Sequence, residues 1–309
     1  MLLGPTASGK TEASILLAKA LGARIVSADS IQVYRGLDIG SAKPTMEERA
    51  GIAHHMLDVV EIDCPDFSVS QYQQMANACI ENIRRQNSLP LVAGGTGFYI
   101  QALTNPMELA GVPGNPELRA RLSGQEFKRP GCLHERLTEI DPARAAKIHP
   151  NDTKRIIRAL EIFEASGQLP SAYGEPASAL SPTSGIKLFG ITMPRELLYE
   201  RINKRVDIML EAGLLEEARA IFDMGYALTL PAMQALGYRQ LFSHFNGECS
   251  LEEAIERIKQ ETRRYAKRQT TWFKRDPNIL WFDKTQYPSV KIMAEQMLKA
   301  YDSMPESES

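Results

Sequence analysis

The chain of 309 residues sets 36 Lys and Arg against 38 Asp and Glu, a net charge of −2, with 43 % hydrophobic residues. That is ample for a buried core in one or two lobes, and it excludes a global polycation, so any nucleic-acid contact must come from local patches. No apolar run approaches the ~18 residues of a membrane helix, no charged-then-apolar leader precedes the first motif, and Cys64, Cys79, Cys132 and Cys249 are scattered without C-x-x-C spacing, which reads as reduced cytoplasmic thiols.

Met1-Leu2-Leu3 is all that precedes Gly4-Pro5-Thr6-Ala7-Ser8-Gly9-Lys10-Thr11. This stretch fits G-x-x-x-x-G-K-[ST], the phosphate-cradling loop. Gly4 and Gly9 let the backbone bend so that its N–H groups meet phosphate oxygens. Lys10 adds a mobile charge, and the Thr11 hydroxyl suits Mg²⁺. Residues 11–21 then read as a helix whose N-terminus aims its dipole at the anion. Such a loop normally follows a buried strand of about five residues. Only three are available, so a truncated start and a weakened first strand are expected. The loop alone does not say which phosphate it holds: kinases, ATPases, GTPases and diphosphate-using transferases all use it.

Ala23–Ala28 reads as a strand ending in Asp29-Ser30-Ile31-Gln32. Ligands of parallel α/β sheets sit beyond the carboxyl ends of the strands, which places Asp29 on the edge of the phosphate loop. The competing reading is a turn or N-cap aspartate. Residues 36–66 are punctuated by Gly and Pro, and His54-His55 reads as a loop or strand-end pair rather than a metal site. Ser68 to Arg85 looks helical. Leu89–Ala93 is a third strand, running into a second Gly-rich turn, Gly94-Gly95-Thr96-Gly97, and then a helix.

Residues 104–118 carry three prolines and two glycines, a lobe boundary. From Pro116 to Gly167 the pattern is helical and charged. In Lys154–Phe163, Ile156, Ala159, Leu160 and Phe163 form one apolar stripe, which leaves Lys154 and Arg158 facing solvent. Residues 168–185 return through Ser, Pro and Gly, Ile186–Thr192 is a strand, and the helix from Arg195 keeps Arg201, Lys204 and Arg205 off its apolar stripe. The expected architecture is α/β: a P-loop parallel-sheet core formed by residues 1–112 and 186–303, an inserted all-helical lobe at 113–185, and a disordered tail at 304–309.

Ser250-Leu251-Glu252-Glu253 is a capping box. It opens the longest helix, which ends before Pro277. Its apolar stripe takes in Tyr265, Gln269, Trp272 and Phe273, so the two rings read as core more than as base-stacking platforms. Arg263, Arg264, Lys267, Arg268, Lys274 and Arg275 fall on the other half, bracketed by only Glu261 and Asp276. So dense a face of one sign favours a polyanion and steeply salt-dependent binding. Leu280-Trp281-Phe282 is a last short strand, followed by a helix at 289–302.

Taken together, GPTASGKT at 4–11, DSIQVYR at 29–35, DIGSAKPT at 38–45, GGTG at 94–97, HPNDTKRIIRAL at 149–160, LPAMQALGYR at 230–239 and RRYAKRQTTWF at 263–273 resemble the bacterial tRNA dimethylallyltransferase family. The ordered set is specific where the first motif is generic. The resemblance implies transfer of a dimethylallyl group from its diphosphate to N6 of adenosine 37 in tRNAs reading codons that begin with U. It also implies Mg²⁺ dependence, action as a monomer, and a channel that the adenine and the prenyl diphosphate enter from opposite ends. It assigns the diphosphate to Thr6, Ala7, Ser8, Gly9, Lys10 and Thr11 with Gly4. Asp29 becomes the proton acceptor, Thr96 a contact near the reacting amine, and Arg119 a neighbour of the leaving group. It assigns tRNA contact to Asp29, Ser30, Ile31 and Gln32, to Lys154, Arg155 and Arg158, and to Gln234, Gly237, Tyr238 and Arg239. The last tRNA segment is Arg263, Arg264, Lys267, Arg268, Gln269 and Lys274. Gln234 stands where some members carry Arg, which weakens one expected contact. The zinc module of eukaryotic members has no counterpart.

The chemistry fits these residue types. An allylic diphosphate leaves as a charged anion, so loop N–H groups, Lys10, Mg²⁺ and an arginine are suitable donors, each typically worth on the order of 10²–10³ in rate. The exocyclic amine of adenine is a poor nucleophile that must shed a proton. An aspartate, with a reference pKa of about 3.9, is ionised and available. The rivals are an ATP-using kinase, an adenylate isopentenyltransferase, and an RNA-binding P-loop module without turnover. The Gly-Gly-Thr end of the third strand and the basic helix argue against the first, the basic helix against the second, and Asp29 with Thr96 against the third.

Overall fold

The computed structural model describes residues 1–104, 112, 114–173 and 185–304. The chain divides into two compact units, Met1–Asn105 with Ser178–Ser309, and Pro106–Ala177. The expected boundaries of the inserted lobe, 113 and 185, thus fall several residues later than the observed ones. Of the expected tail at 304–309, residues 305–309 lie outside the described residues.

The first unit is built on six parallel strands: β1 (Leu2–Leu3), β2 (Ala23–Ala28), β3 (His54–His55), β4 (Leu89–Gly94), β5 (Phe189–Thr192) and β6 (Leu280–Asp283), in the order β3-β2-β4-β1-β5-β6. All five pairings are parallel. The shortness expected of the first strand is present, yet β1 lies in the middle of the sheet. Leu2 and Leu3 pair with Ala93 and Gly94 on one side and with Phe189 and Gly190 on the other. Successive residues of a strand face opposite ways, and both leucines are fully buried, Leu2 in one layer and Leu3 in the other. The first layer packs helices Lys10–Leu21 and Val290–Ser303 on the sheet. The second is larger and includes Val69–Arg85, Gly97–Thr104, Leu214–Asp223, Tyr238–Phe245 and Leu251–Phe273. Sequence periodicity did not separate Leu214–Asp223 and Tyr238–Phe245 as elements; of the two readings left open for His54-His55, loop or strand end, the structure gives a strand, at the edge of the sheet.

Two contacts hold the layers over the strand ends. Tyr72 and Tyr99 stack with ring centroids 3.6 Å apart, and the Tyr72 hydroxyl donates to the Ser27 carbonyl at 2.9 Å. The loop after β2 is pinned by Lys43, whose buried ammonium donates to the Tyr34 carbonyl and to Asp38 and Asp58.

The second unit is helical: Pro116–Lys128, Cys132–Ile140, Pro142–Ala145 and Thr153–Ser166 enclose a core of Leu122, Leu133, Leu137, Ile156 and Leu160. Glu161 is fully buried there. Arg119 meets it through two nitrogens at 2.8 and 2.9 Å, and Arg158 meets it at 2.5 Å. Burial alone would raise the Glu161 carboxyl; bonds from Arg119, the Asn115 N–H and Arg158 outweigh it and hold the group below the usual carboxylate range. Arg158 is therefore not the solvent-facing cation that helical geometry suggests, because a buried carboxylate three residues on draws it inward. Lys154 is exposed as expected, and so is Arg155, which pairs with Asp152. Among the described residues no helix is long and apolar enough to cross a membrane.

Candidate active site

The ends of β1, β2 and β4 meet at one rim, as the edge rule for parallel sheets requires. Gly4 follows β1 so closely against β5 that a Cβ there would stand 2.7 Å from the Ile191 carbonyl oxygen. The loop then turns through Ala7, which has φ 62°, and Gly9, which has φ 98° and caps helix Lys10–Leu21. A non-glycine residue in the left-handed region is strained. The Arg201 Nε donates to the Ala7 carbonyl at 2.9 Å and holds that turn. Ser8 is fully buried and its hydroxyl has no partner among the described residues, an orphan that a phosphate oxygen would satisfy. Thr11 is exposed in the first turn, and its hydroxyl makes no hydrogen bond among the described residues.

Lys10, Thr11, Asp29, Gln32, Arg205 and Gln269 line one cleft, together with Ser41, Pro44 and His54. It spans about 620 Å³ of space open to solvent. Burial, and next the Arg205 charge, push Lys10 down to about 7, while the Asp29 charge acts the other way. The anion cradle and the carboxylate thus share a cavity and feel one another. The turn reading of Asp29 also holds: its Oδ1 accepts the N–H groups of Ile31 at 2.9 Å and Gln32 at 3.3 Å. Those bonds aim the carboxylate and leave Oδ2 without a partner among the described residues. Thr96 Oγ1 accepts the Ser30 N–H at 3.0 Å, tying the second Gly-rich turn to the segment after β2. Tyr265 sits beside this pair; burial, and then the Asp29 charge, push its hydroxyl up to about 12, with bonds to Thr96 and Gln269 opposing.

The second Gly-rich turn is not a second phosphate cradle. A Cβ on Gly95 would lie 2.3 Å from Gln269 Nε2, and one on Gly97 would lie 2.5 Å from Trp272 Nε1. These glycines let helix Leu251–Phe273 approach the rim. Gln269 is buried, accepts the Thr6 N–H at 2.8 Å and donates to the Gly95 carbonyl at 2.9 Å. Its amide is spent joining the two turns, which leaves the expected tRNA contact at Gln269 without a free donor or acceptor pair on the surface.

A profile of the family described as IPP transferase matches residues 32–276. The tRNA dimethylallyltransferase of Pelotomaculum thermopropionicum is 42 % identical over 304 residues, which are 98 % of this chain and 96 % of that one. The one from Acetivibrio thermocellus is 46 % identical over 94 % of this chain and 92 % of its own length. The chain belongs to the IPP transferase family. The crystal structure of the full-length tRNA isopentenylpyrophosphate transferase from Bacillus halodurans superposes with a TM-score of 0.71 at 38 % identity, covering 97 % of this chain and 95 % of that one. A eukaryotic dimethylallyltransferase acting on tRNA superposes with a TM-score of 0.79 at 26 % identity, covering all of this chain and 80 % of that one.

In this IPP transferase the exposed cations of helix Leu251–Phe273 and its end are Arg264, Lys267, Arg268, Lys274 and Arg275. Arg263 is not among them: it is half-buried, paired with Glu256 and bonded to Asn203. Trp272 and Phe273 pack with the core, as their stripe predicts. Gln234 and Arg239 are exposed and, with Arg264, Tyr265 and Arg268, line a second cavity; Arg239 pairs with Glu261 there. Gly237 and Tyr238 are buried. The Tyr238 hydroxyl donates to Glu217, whose carboxylate also accepts the N–H groups of Asp38, Ile39 and Gly40. Tyr238 is thus a post under the segment after β2 and presents no ring to a partner.

Sequence reading missed Arg201, Arg205 and Lys284 at the loop. The two arginines stood out only as cations off an apolar stripe, which is what any solvated face shows. For Lys284 there was a usable signal: it directly follows the last strand, and the rule that singled out Asp29 applies to it equally.

Proposed function

We propose that this chain transfers a dimethylallyl group from dimethylallyl diphosphate to N6 of adenosine 37 in tRNAs reading codons that begin with U, acting as a monomer in the cytoplasm. The observation that carries this is one cleft lined by both Lys10 and Asp29. The four cysteines are unpaired, as suits a reducing compartment. Nothing in the cleft favours the kinase alternative.

The 4–11 loop binds the diphosphate through its N–H groups, with Lys10 and Arg205 set against the charge that grows as the C1–O bond breaks. The bonding pair leaves on the diphosphate. The N6 lone pair forms the new C1–N6 bond, and the N6 proton passes to Oδ2 of Asp29. Thr96, fixed by the Ser30 N–H, keeps the acceptor beside that oxygen. Mg²⁺ fits the unbonded Thr11 hydroxyl, because this ion usually takes one or two protein ligands and completes its shell with phosphates and water. When bound, it would neutralise charge on the diphosphate oxygens. The exposed cations of the long helix supply the electrostatic hold on the tRNA backbone. Extruding an unpaired loop base costs less than opening a duplex.

Incubation with dimethylallyl diphosphate, Mg²⁺ and unmodified tRNA, followed by mass analysis of the nucleosides, tests the reading. The expected product is dimethylallyl-adenosine at position 37. A phosphorylated product with ATP and a small acceptor, and none with tRNA, would replace it by the kinase. Asp29→Ala should lower turnover by roughly 10²–10⁴-fold, the usual worth of a general base, with tRNA binding retained. An active variant removes Asp29 as the base.

A further inference from the structure

We propose that Lys284 is a further ligand of the diphosphate, delivered from the end of β6 over the shoulder of the phosphate loop. The proposal rests on the transfer reading above and names a contact within the same site. Its first support is position. A Cβ on Gly9 would stand 3.0 Å from Lys284 Nζ and 3.8 Å from the last two carbons of its stem, so the ammonium lies against the loop residue next to Lys10. Its second support is the lack of a competing partner. Among the described residues the Lys284 ammonium makes no hydrogen bond and no ion pair. The adjacent carboxylate is taken: Asp283 Oδ1 accepts the Thr285 N–H at 2.9 Å and its hydroxyl at 2.7 Å.

Its third support is company of the wrong sign for a structural ion pair. Burial, and then the Arg201 charge, lower the Lys284 ammonium from its ordinary value, and the Glu12 charge opposes them only in part. A half-buried cation held beside another cation is costly unless an anion joins them. The position also follows from topology, because β6 extends the parallel sheet and its carboxyl end opens on the rim that β1 and β2 serve. Lys10 reaches the anion from within the loop, whereas Lys284 reaches it from a different element. The leaving group would therefore be held between two lysines as its charge grows.

The test titrates inorganic diphosphate with Mg²⁺ into the full chain by calorimetry and compares Lys284→Met, Lys284→Arg and, as a charge-matched control, the exposed Lys291→Met. A charged hydrogen bond of this kind corresponds to about 10- to 100-fold in affinity. Lys284→Met should bind diphosphate that much more weakly, Lys284→Arg should recover part of the loss, and Lys291→Met should match the parent. Unchanged affinity in Lys284→Met overturns the assignment. A second measurement needs no variant: diphosphate should slow acetylation of Lys284 in the parent chain, read by peptide mass, and undiminished labelling overturns it equally. A parent that binds diphosphate through Lys284 but makes no prenylated tRNA keeps this contact and removes the transfer reading. A parent that prenylates tRNA while Lys284→Met binds normally does the reverse.

Discussion

Arg264, Lys267, Lys274 and Arg275 stand exposed along and just after one helix, without an ion pair among the described residues. Arg205 and Lys284, by contrast, are half-buried on two separate elements that converge on a single loop. The first group can meet any polyanion that presents phosphates at helical spacing. Its members keep their water and their rotamers, so each contact is individually weak and screened by salt. The second group is already partly buried beside the loop before the anion arrives. A fixed donor in a partly dehydrated site acts on charge that develops during the reaction, and it does so with little reorganisation. On the proposed reading the same residue types would do two jobs, with burial separating capture of the tRNA from stabilisation of the leaving group.

The largest effect should come from the fixed group. Arg205→Ala is expected to lower turnover by roughly 10²–10³-fold, the worth of one preorganised donor, with the loss the same at low and high salt. Arg205→Lys should restore only part, since a point charge cannot reproduce a guanidinium fork. The check is single-turnover kinetics with tRNA saturating; a loss that salt abolishes would place Arg205 with the exposed group. The next effect belongs to that group. Lys267→Glu with Arg268→Glu should weaken tRNA binding by about tenfold or more and flatten the salt slope by roughly 0.7–0.9 for each phosphate no longer neutralised. Filter binding over a salt series measures both, and an unchanged slope would confine these residues to solubility.

These two groups were not equally legible in the sequence. The exposed cations lie on one helix, and a wheel drawn from residue order alone displays them. The loop, the strand ends at 29 and 94, and the helical insertion were legible for the same reason: each is a local pattern, a Gly-rich turn or an apolar period. Of the half-buried cations, Lys284 carries only the strand-end signal that Asp29 carries, and Arg205 belongs to no local pattern. Arg201 meets Ala7 across 194 residues and Gln269 meets Thr6 across 263. Only packing of distant elements brings them together, and propensity carries no trace of it. Tyr238 and Arg158 misled for a related reason. Their motif and wheel positions are compatible with the surface, but Glu217 and the buried Glu161 draw them inward.

A smaller effect should separate Lys10 from every other cation. Burial and the Arg205 charge push it down to about 7, so near neutrality the free site holds this lysine only partly protonated. A bound diphosphate favours the ammonium. The sign follows: above about pH 7, binding takes up a proton, and affinity falls as pH rises, by at most tenfold per pH unit. Calorimetry at about pH 8 in buffers of different ionisation enthalpy should show uptake of up to about one proton, and Lys10→Met should abolish it. No uptake in the parent would mean that Lys10 stays charged in the free cleft.

The smallest expected change in binding sharpens the comparison most, because Gln269 sits on the helix of the exposed cations yet belongs to the fixed site. Gln269→Leu keeps the volume but strips the Thr6 N–H and the Gly95 carbonyl of their partner, and each buried orphan costs about 1–3 kcal/mol. The loop and the second Gly-rich turn would then be free to separate. The midpoint of thermal unfolding should fall by several degrees, since about 1 kcal/mol shifts it by roughly 2–4 °C in a chain of this class. Diphosphate affinity should fall, because Thr6 would no longer be held in the cradle. The tRNA salt slope should not move, since every cation that faces a phosphate is still in place. A variant that kept its midpoint and lost salt dependence would put Gln269 on the outer face, and the division between held and free cations on this helix would fail at the residue where it is drawn most finely.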